Sequence, residues 1–188
     1  MKKNFLFLGL FIFLISCQDD SKLETITVDN KYSLDVFTNM SKSTELNDEA
    51  SLQYQNIFKQ LYVVVIDESA DQFENIIVEN QLQDDYSADL DGYTKLIVNG
   101  FDTDSEIQNH SEPKDITING LDAKLFEFNG RVNDYDIYYK LAFVKTKKSY
   151  YQIMTWTLLD NKEKLKEKMD KMIYSFKEIR SKTVAKKN

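Results

Sequence analysis

The sequence is poor in the residues that most chemistry relies on. Its 188 residues include one cysteine, one proline, one histidine in total and five glycines. A single thiol cannot close an intramolecular disulfide, so the fold must hold by packing alone. One histidine cannot build a His-rich metal site, and no second soft ligand accompanies it. His110 lies in a polar stretch before Pro113, where an exposed loop is expected. No serine sits in a Gly-x-Ser-x-Gly elbow, which leaves a Ser-His-Asp triad without its strained turn. The dispersed glycines exclude a phosphate-cradling loop. No repeat, low-complexity block or Pro-rich linker divides the chain. No catalytic set, cofactor motif or complete metal site is visible, so the chain is not expected to be an enzyme. The longest apolar run, Phe5 to Ile15, is about half of the roughly 20 residues that a membrane span requires.

That short run is informative where it stands. Lys2 and Lys3 precede it, which is the layout of a secretory signal. Leu14-Ile15-Ser16-Cys17 closes it, and these four residues resemble the lipobox of bacterial lipoproteins. The resemblance implies cleavage before Cys17, transfer of a diacylglycerol to its thiol, and acylation of the new amino group by a chain such as palmitate. Only a thiol gives the thioether that this step makes. Residues 1–16 are thus expected to be a signal, and Cys17 the lipidated first residue of a 172-residue mature protein. Each buried methylene adds about 0.8 kcal/mol, so several chains would hold the protein in the outer membrane essentially permanently. The following Gln18-Asp19-Asp20-Ser21-Lys22 resembles the acidic export tag of some surface lipoproteins. It reads equally as a solvated tether, and residues 17–29 are assigned to lipidated N-terminus and tether. The domain could face the periplasm or the exterior.

Charge is distributed unevenly. The formal net charge is −7. Residues 1–42 balance, residues 43–136 carry 5 basic and 21 acidic groups, and residues 137–188 carry 14 basic and 5 acidic. Between Asp67 and Asp91 there are nine acidic residues and no lysine or arginine. Such a face repels nucleic acid and anionic lipid while attracting cations or a basic partner. It also serves solubility and pairing between the two halves. Residues 180–188 continue a basic end with no aromatic interleaving, as expected of a solvated tail.

Local patterns supply the elements. YSLDVF (32–37), SLQYQNIF (51–58) and QLYVVVID (60–67) read as strands. Ser69 and Gln72 form a capping box ahead of Phe73, Ile76 and Ile77, and predict a helix. Ser87 can cap a second helix bearing Leu90, Tyr93, Leu96 and Ile97, which Gly100 would stop. Asn119-Gly120 and Asn129-Gly130 are hairpin signals. They would join DITI (115–118), LDAKLFEF (121–128) and DYDIYYKLAFVKT (134–146), with YYQIMTWTLL (150–159) completing a four-stranded meander. Within the third segment Tyr135, Ile137, Tyr139, Leu141 and Phe143 alternate with Asp136, Tyr138, Lys140 and Ala142, predicting one mainly apolar face. The last helix has Asp160 and Glu163 as caps. Leu165, Met169, Met172, Ile173 and Phe176 form its inward stripe, with Lys168 on the opposite face. An antiparallel sheet covered by helices is the α+β solution.

That order resembles the PsbP-like fold, a central antiparallel sheet sandwiched between helices. The resemblance covers about residues 30–179 and rests on KYSLDVF, TINGLDAKLFEF, YYQIMTWTL and the closing SFKEI. It implies a fold and carries no catalytic motif. Photosynthetic members are extrinsic subunits of a membrane complex.

Two further constellations have alternative readings. Ser87, Asp89, Asp91 and Gly92 imitate the first half of a calcium loop, but Val98 stands where a bidentate Glu is needed, and the same residues fit a helix. Asp102, Asp104 and Glu106 form a second acidic cluster. Tyr138, Tyr139, Phe143, Tyr150, Tyr151 and Trp156 could line a ligand cleft, but at strand spacing they fit a core. The expected function is that of a lipid-anchored interaction domain binding the membrane through Cys17 and another envelope or extracellular protein. The alternative is a carrier of a small hydrophobic ligand.

Overall fold

The computed structural model describes residues 20–104 and 106–179; the expected signal segment 1–16, Cys17 and the expected basic tail 180–188 lie outside them. Strands β1 (Leu23–Val28) and β2 (Tyr32–Phe37) open the domain as an antiparallel hairpin. Asp29 and Asn30 turn it with φ of 48° and 54°, a left-handed pair that Asp and Asn tolerate. The tether assignment of residues 17–29 is therefore corrected: Leu23, Ile26 and Val28 pack on the core, so the domain begins earlier than residue 30.

The chain continues through β3 (Ser41–Lys42), β4 (Leu52–Asn56) and β5 (Leu61–Ser69) into α1 (Ala70–Glu79) and α2 (Leu90–Asp104). Then come β6 (Glu106–His110), β7 (Lys114–Ile118), β8 (Leu121–Val132), β9 (Tyr135–Lys145) and β10 (Ser149–Leu158). A 3-10 turn at Leu159–Asn161 leads into α3 (Lys162–Tyr174) and β11 (Lys177–Glu178). The large sheet runs β3-β4-β5-β10-β9-β8-β6, with β7 also on β8, and its pairs are antiparallel. The small sheet is β1-β2-β11.

Two cores lie on opposite faces of the large sheet. Tyr32, Leu34, Val36 and Phe37 of the small sheet join Leu165, Met169, Met172 and Ile173 of α3 on one face. Phe73 and Ile77 of α1 and Tyr93 of α2 meet Phe126, Leu141, Phe143 and Tyr150 on the other. The fold is α+β with helices on both faces, as the element order implies.

The meander forms, but two of its signals act differently. Asn119 and Gly120 make the β7–β8 turn, with φ of 49° and 81°. Asn129-Gly130 makes no turn. β8 runs through it to Val132, and Asn133, at φ 53°, turns the chain instead. A turn at Asn129-Gly130 would place Phe128 opposite Arg131. The observed register places it opposite Tyr139, with the rings stacked at 4.6 Å. Packing therefore decides the register.

Likewise α2 does not stop at Gly100. It continues one more turn and packs Phe101 on Phe128, with ring centroids 5.4 Å apart, which outweighs the roughly 1 kcal/mol that glycine costs inside a helix. Ile76 faces solvent while Phe73 and Ile77 are buried. Nor is β9 one-faced: Tyr138, Lys140, Ala142 and Val144 are buried beneath α3. The expected caps of α3 are absent too. Asn161 precedes it without a side-chain cap bond, the 3-10 turn having tightened the entry. Lys168 is half-buried against the Phe37 ring, 4.9 Å from its centroid, and is no free surface residue.

Candidate functional site

The aromatic residues form core contacts. Tyr138, Phe143, Tyr150 and Tyr151 are buried, on both faces of the sheet. Tyr150 stacks on Tyr93 at 4.3 Å, and Tyr151 meets Tyr32 and Phe176 at 5.3 and 4.9 Å. Tyr139 and Trp156 are half-buried within a longer stack. These six rings therefore do not converge on a cleft.

Two partly buried polar clusters pin helices to the sheet. In the first, the Tyr93 hydroxyl of α2 donates to Glu68 of β5, and Gln152 Nε2 donates to both, at 3.0 Å and 3.2 Å. Burial foremost, then the Glu68 charge, pushes the Tyr93 hydroxyl far above the ordinary phenol range. In the second, Lys140 of β9 pairs with Glu127 of β8 at 3.4 Å and with Asp170 of α3. The Tyr138 hydroxyl donates to Glu127 at 2.7 Å. Burial would raise the Glu127 carboxyl, but the Tyr138 bond and the Lys140 charge outweigh it and hold it low.

An acidic cleft of about 500 Å³ lies between the start of α2, β7, β8 and the end of β9. Asp89, Asp91, Asp115, Asp122, Lys124 and Lys145 are among the residues that line it. Lys124 Nζ bridges Asp91 and Asp115, each at 2.5 Å. The Asp115 bond, and then that of Asp91, hold the ammonium above its usual range.

Asp89, and not Ser87, caps α2. Its Oδ1 accepts from Gly92 N at 3.0 Å and from Ser87 Oγ at 2.6 Å. These bonds, Ser87's foremost, hold its carboxyl below the usual range. The half-calcium-loop pattern thus folds as a helix start, with Asp91 turned to Lys124. Gly92 is needed there because a Cβ would collide with the Ser87 backbone. Among the described residues no group of three or more His, Cys, Asp and Glu is set to hold a metal. The side chains of Asp102, Asp104 and Glu106 lie outside the described residues. His110 closes the edge strand β6, exposed, with Nδ1 3.3 Å from the Ser111 carbonyl.

The architecture has known counterparts. The chain superposes on cyanobacterial PsbP (CyanoP) from Synechocystis with a TM-score of 0.53 at 11% identity, covering 94% of this chain and 98% of that one. The fold is PsbP-like. LpqN, described as involved in cell envelope biogenesis of Mycobacterium tuberculosis, matches with a TM-score of 0.53 at 10% identity, over 85% of this chain and 91% of that one. No family model matches the sequence. No curated protein matches it either. Among the described residues of this PsbP-like domain, no helix is long and apolar enough to cross a membrane.

Sequence reasoning missed the cleft as a unit. It named Asp89 and Asp91 but not Asp115, Asp122 or Lys124, which come from a hairpin distant in sequence. The DITINGLDAK alternation, placing Asp115, Asp122 and Lys124 on two paired strands, was the available signal.

Proposed function

We propose that the chain is a lipid-anchored, non-enzymatic interaction domain of the bacterial envelope, held in the outer membrane through Cys17. Its acidic cleft receives a basic segment of another envelope or extracellular protein. The observation that carries this reading is the Lys124 bridge: an internal ammonium already sits between Asp91 and Asp115, where a partner's Lys or Arg would compete. The nine acidic residues from Asp67 to Asp91 extend that field and would speed encounter with a cationic partner. The envelope setting draws support from the lipobox-like LISC segment and from the envelope role printed for LpqN.

A photo-crosslinking residue at Asp122, exposed on the cleft rim, should capture a discrete protein in intact cells. The same residue at Thr27, exposed on β1, should not, and Asp115→Lys should abolish the adduct. Equal capture at both positions, or none at Asp122, overturns the reading. Cys17→Ala tests the anchor: it should lose lipid labelling and leave the membrane fraction.

A further inference from the structure

One end of the large sheet is apolar, and the chain's first described residue stands beside it. Of seven exposed large hydrophobic side chains among the described residues, four lie at two turns: Ile57 and Phe58 between β4 and β5, Val132 and Tyr135 flanking the β8–β9 turn. Phe58 is fully exposed, at 101%. The register shows that both turns leave the same end of the sheet. Tyr62 of β5 lies opposite Trp156 of β10, Trp156 opposite Tyr139 of β9, and Tyr139 opposite Phe128 of β8. The turns are three strand spacings apart, roughly 14 Å. Behind them Tyr62, Trp156 and Tyr139 stack at 5.1 and 6.3 Å and stay half-exposed.

We propose that this end docks on the bilayer that holds the Cys17 lipid, with Phe58 and Ile57 entering its apolar layer. The inference rests on the anchor reading above. Asp20 is ion-paired with Lys59 at the β4–β5 turn, and its carboxylate accepts from Asn39 Nδ2 at 2.9 Å. Cys17 is three residues upstream, so its lipid is rooted within about 11 Å of Asp20. The tether delivers this end, rather than the far one, to the membrane.

Charge fits the same occupant. Lys168 donates to the Asp20 carbonyl at 2.7 Å. Its ammonium is held below the usual lysine range by burial first, then by Lys59; Asp20 opposes the shift, and Lys171 and Lys164 add to it. Four lysines thus gather around the one Asp20 carboxylate, and anionic headgroups would neutralise the cations that it does not. Tyr and Trp rings favour the membrane interface, where their apolar bodies and polar tips are both satisfied. The acidic cleft lies at the other end of the large sheet, clear of an anionic surface. There Lys145 is opposite Tyr150, and Tyr150 opposite Glu68 near the far end of β5, whose nine residues span roughly 30 Å.

Trp156 is the sole tryptophan, so its emission reports this end alone. The full lipidated chain is reconstituted into phosphatidylcholine vesicles containing phosphatidylglycerol and a lipid with a dansyl headgroup. Energy transfer from Trp156 should be strong, and should weaken when phosphatidylglycerol is omitted. Ile57→Ser/Phe58→Ser, which alters only exposed side chains, should keep its melting temperature and lose the docked population roughly tenfold or more. Vesicle flotation separates the two claims. Protein that floats with equal transfer in wild type and double variant overturns docking while leaving the anchor intact. Protein that neither floats nor carries lipid overturns the anchor and docking together.

Discussion

Lys140 is 3% exposed in the middle of a strand whose alternation suggested a solvent-facing polar position. The alternation is real, but both faces of β9 are covered, so the polar position became a buried charge with two carboxylate partners. Removing the ammonium would leave Glu127 and Asp170 close together without their counter-charge. Breaking a buried pair costs about 3–5 kcal/mol; with both carboxylates partly exposed we expect about 2 kcal/mol for Lys140→Met at pH 7. The pH dependence follows from Glu127, whose carboxyl is held below its ordinary range in the folded protein. Its contribution is present above about pH 4.3 and is lost as pH falls through the folded value. The gap between wild type and variant should narrow in acid. Chemical denaturation across pH 3–7 (a range of about four units around the carboxylate region) measures it; a gap that widens in acid would refute the assignment. A single sequence shows Lys140 but not what covers it.

Among the elements, α3 was the most legible. Leu165, Met169, Met172 and Ile173 are all buried, as their spacing predicts, and Phe176 is buried too, but from just past the helix end at Tyr174. Ile173→Ala should therefore cost about 2–5 kcal/mol. Exposed Glu167→Ala should stay within about 0.5 kcal/mol, and it is a better control than Lys168, which lies on Phe37. Denaturant midpoints of the two variants decide this; equal midpoints would mean that α3 does not hold the core. Apolar periodicity is legible because it states a requirement that burial must meet. Caps and turns were less so, because each competes with packing elsewhere. Asn129-Gly130 lost its turn to the Phe128–Tyr139 stack, and Gly100 its stop to Phe101. At the candidate site, Asp89 and Asp91 were visible in one segment, whereas Asp115 and Lys124 arrive only through the β7–β8 pairing.

At the scale of the whole molecule, the two faces of the sheet are unequal. On the α3 face, four buried residues of one helix join the small sheet in a core that includes Tyr32, Tyr151 and Phe176. On the other face, α1 buries only Phe73 and Ile77, and α2 buries Tyr93 with Leu90, Leu96, Ile97 and Phe101 half-covered. The α1–α2 layer is also a local insertion between β5 and β6, whereas β5 pairs with β10 across a gap of some eighty residues. That long-range pairing was beyond sequence patterning, since neither strand names its partner, yet it makes the sheet one cooperative unit. Regions with less buried apolar area open by smaller fluctuations than the global transition. Native-state hydrogen exchange should thus show the amides of β9 and β10 protected up to the global stability, of order 5–15 kcal/mol. The amides of α1 and α2 should exchange several kcal/mol earlier, through an opening that leaves the sheet and α3 intact. Ile77→Ala should lower protection in α1 and α2 with little change in β10, while Ile173→Ala should lower both. If α1 and β10 instead exchanged with one common free energy, the two faces would unfold as one unit. The asymmetry of their cores would then carry no consequence for motion.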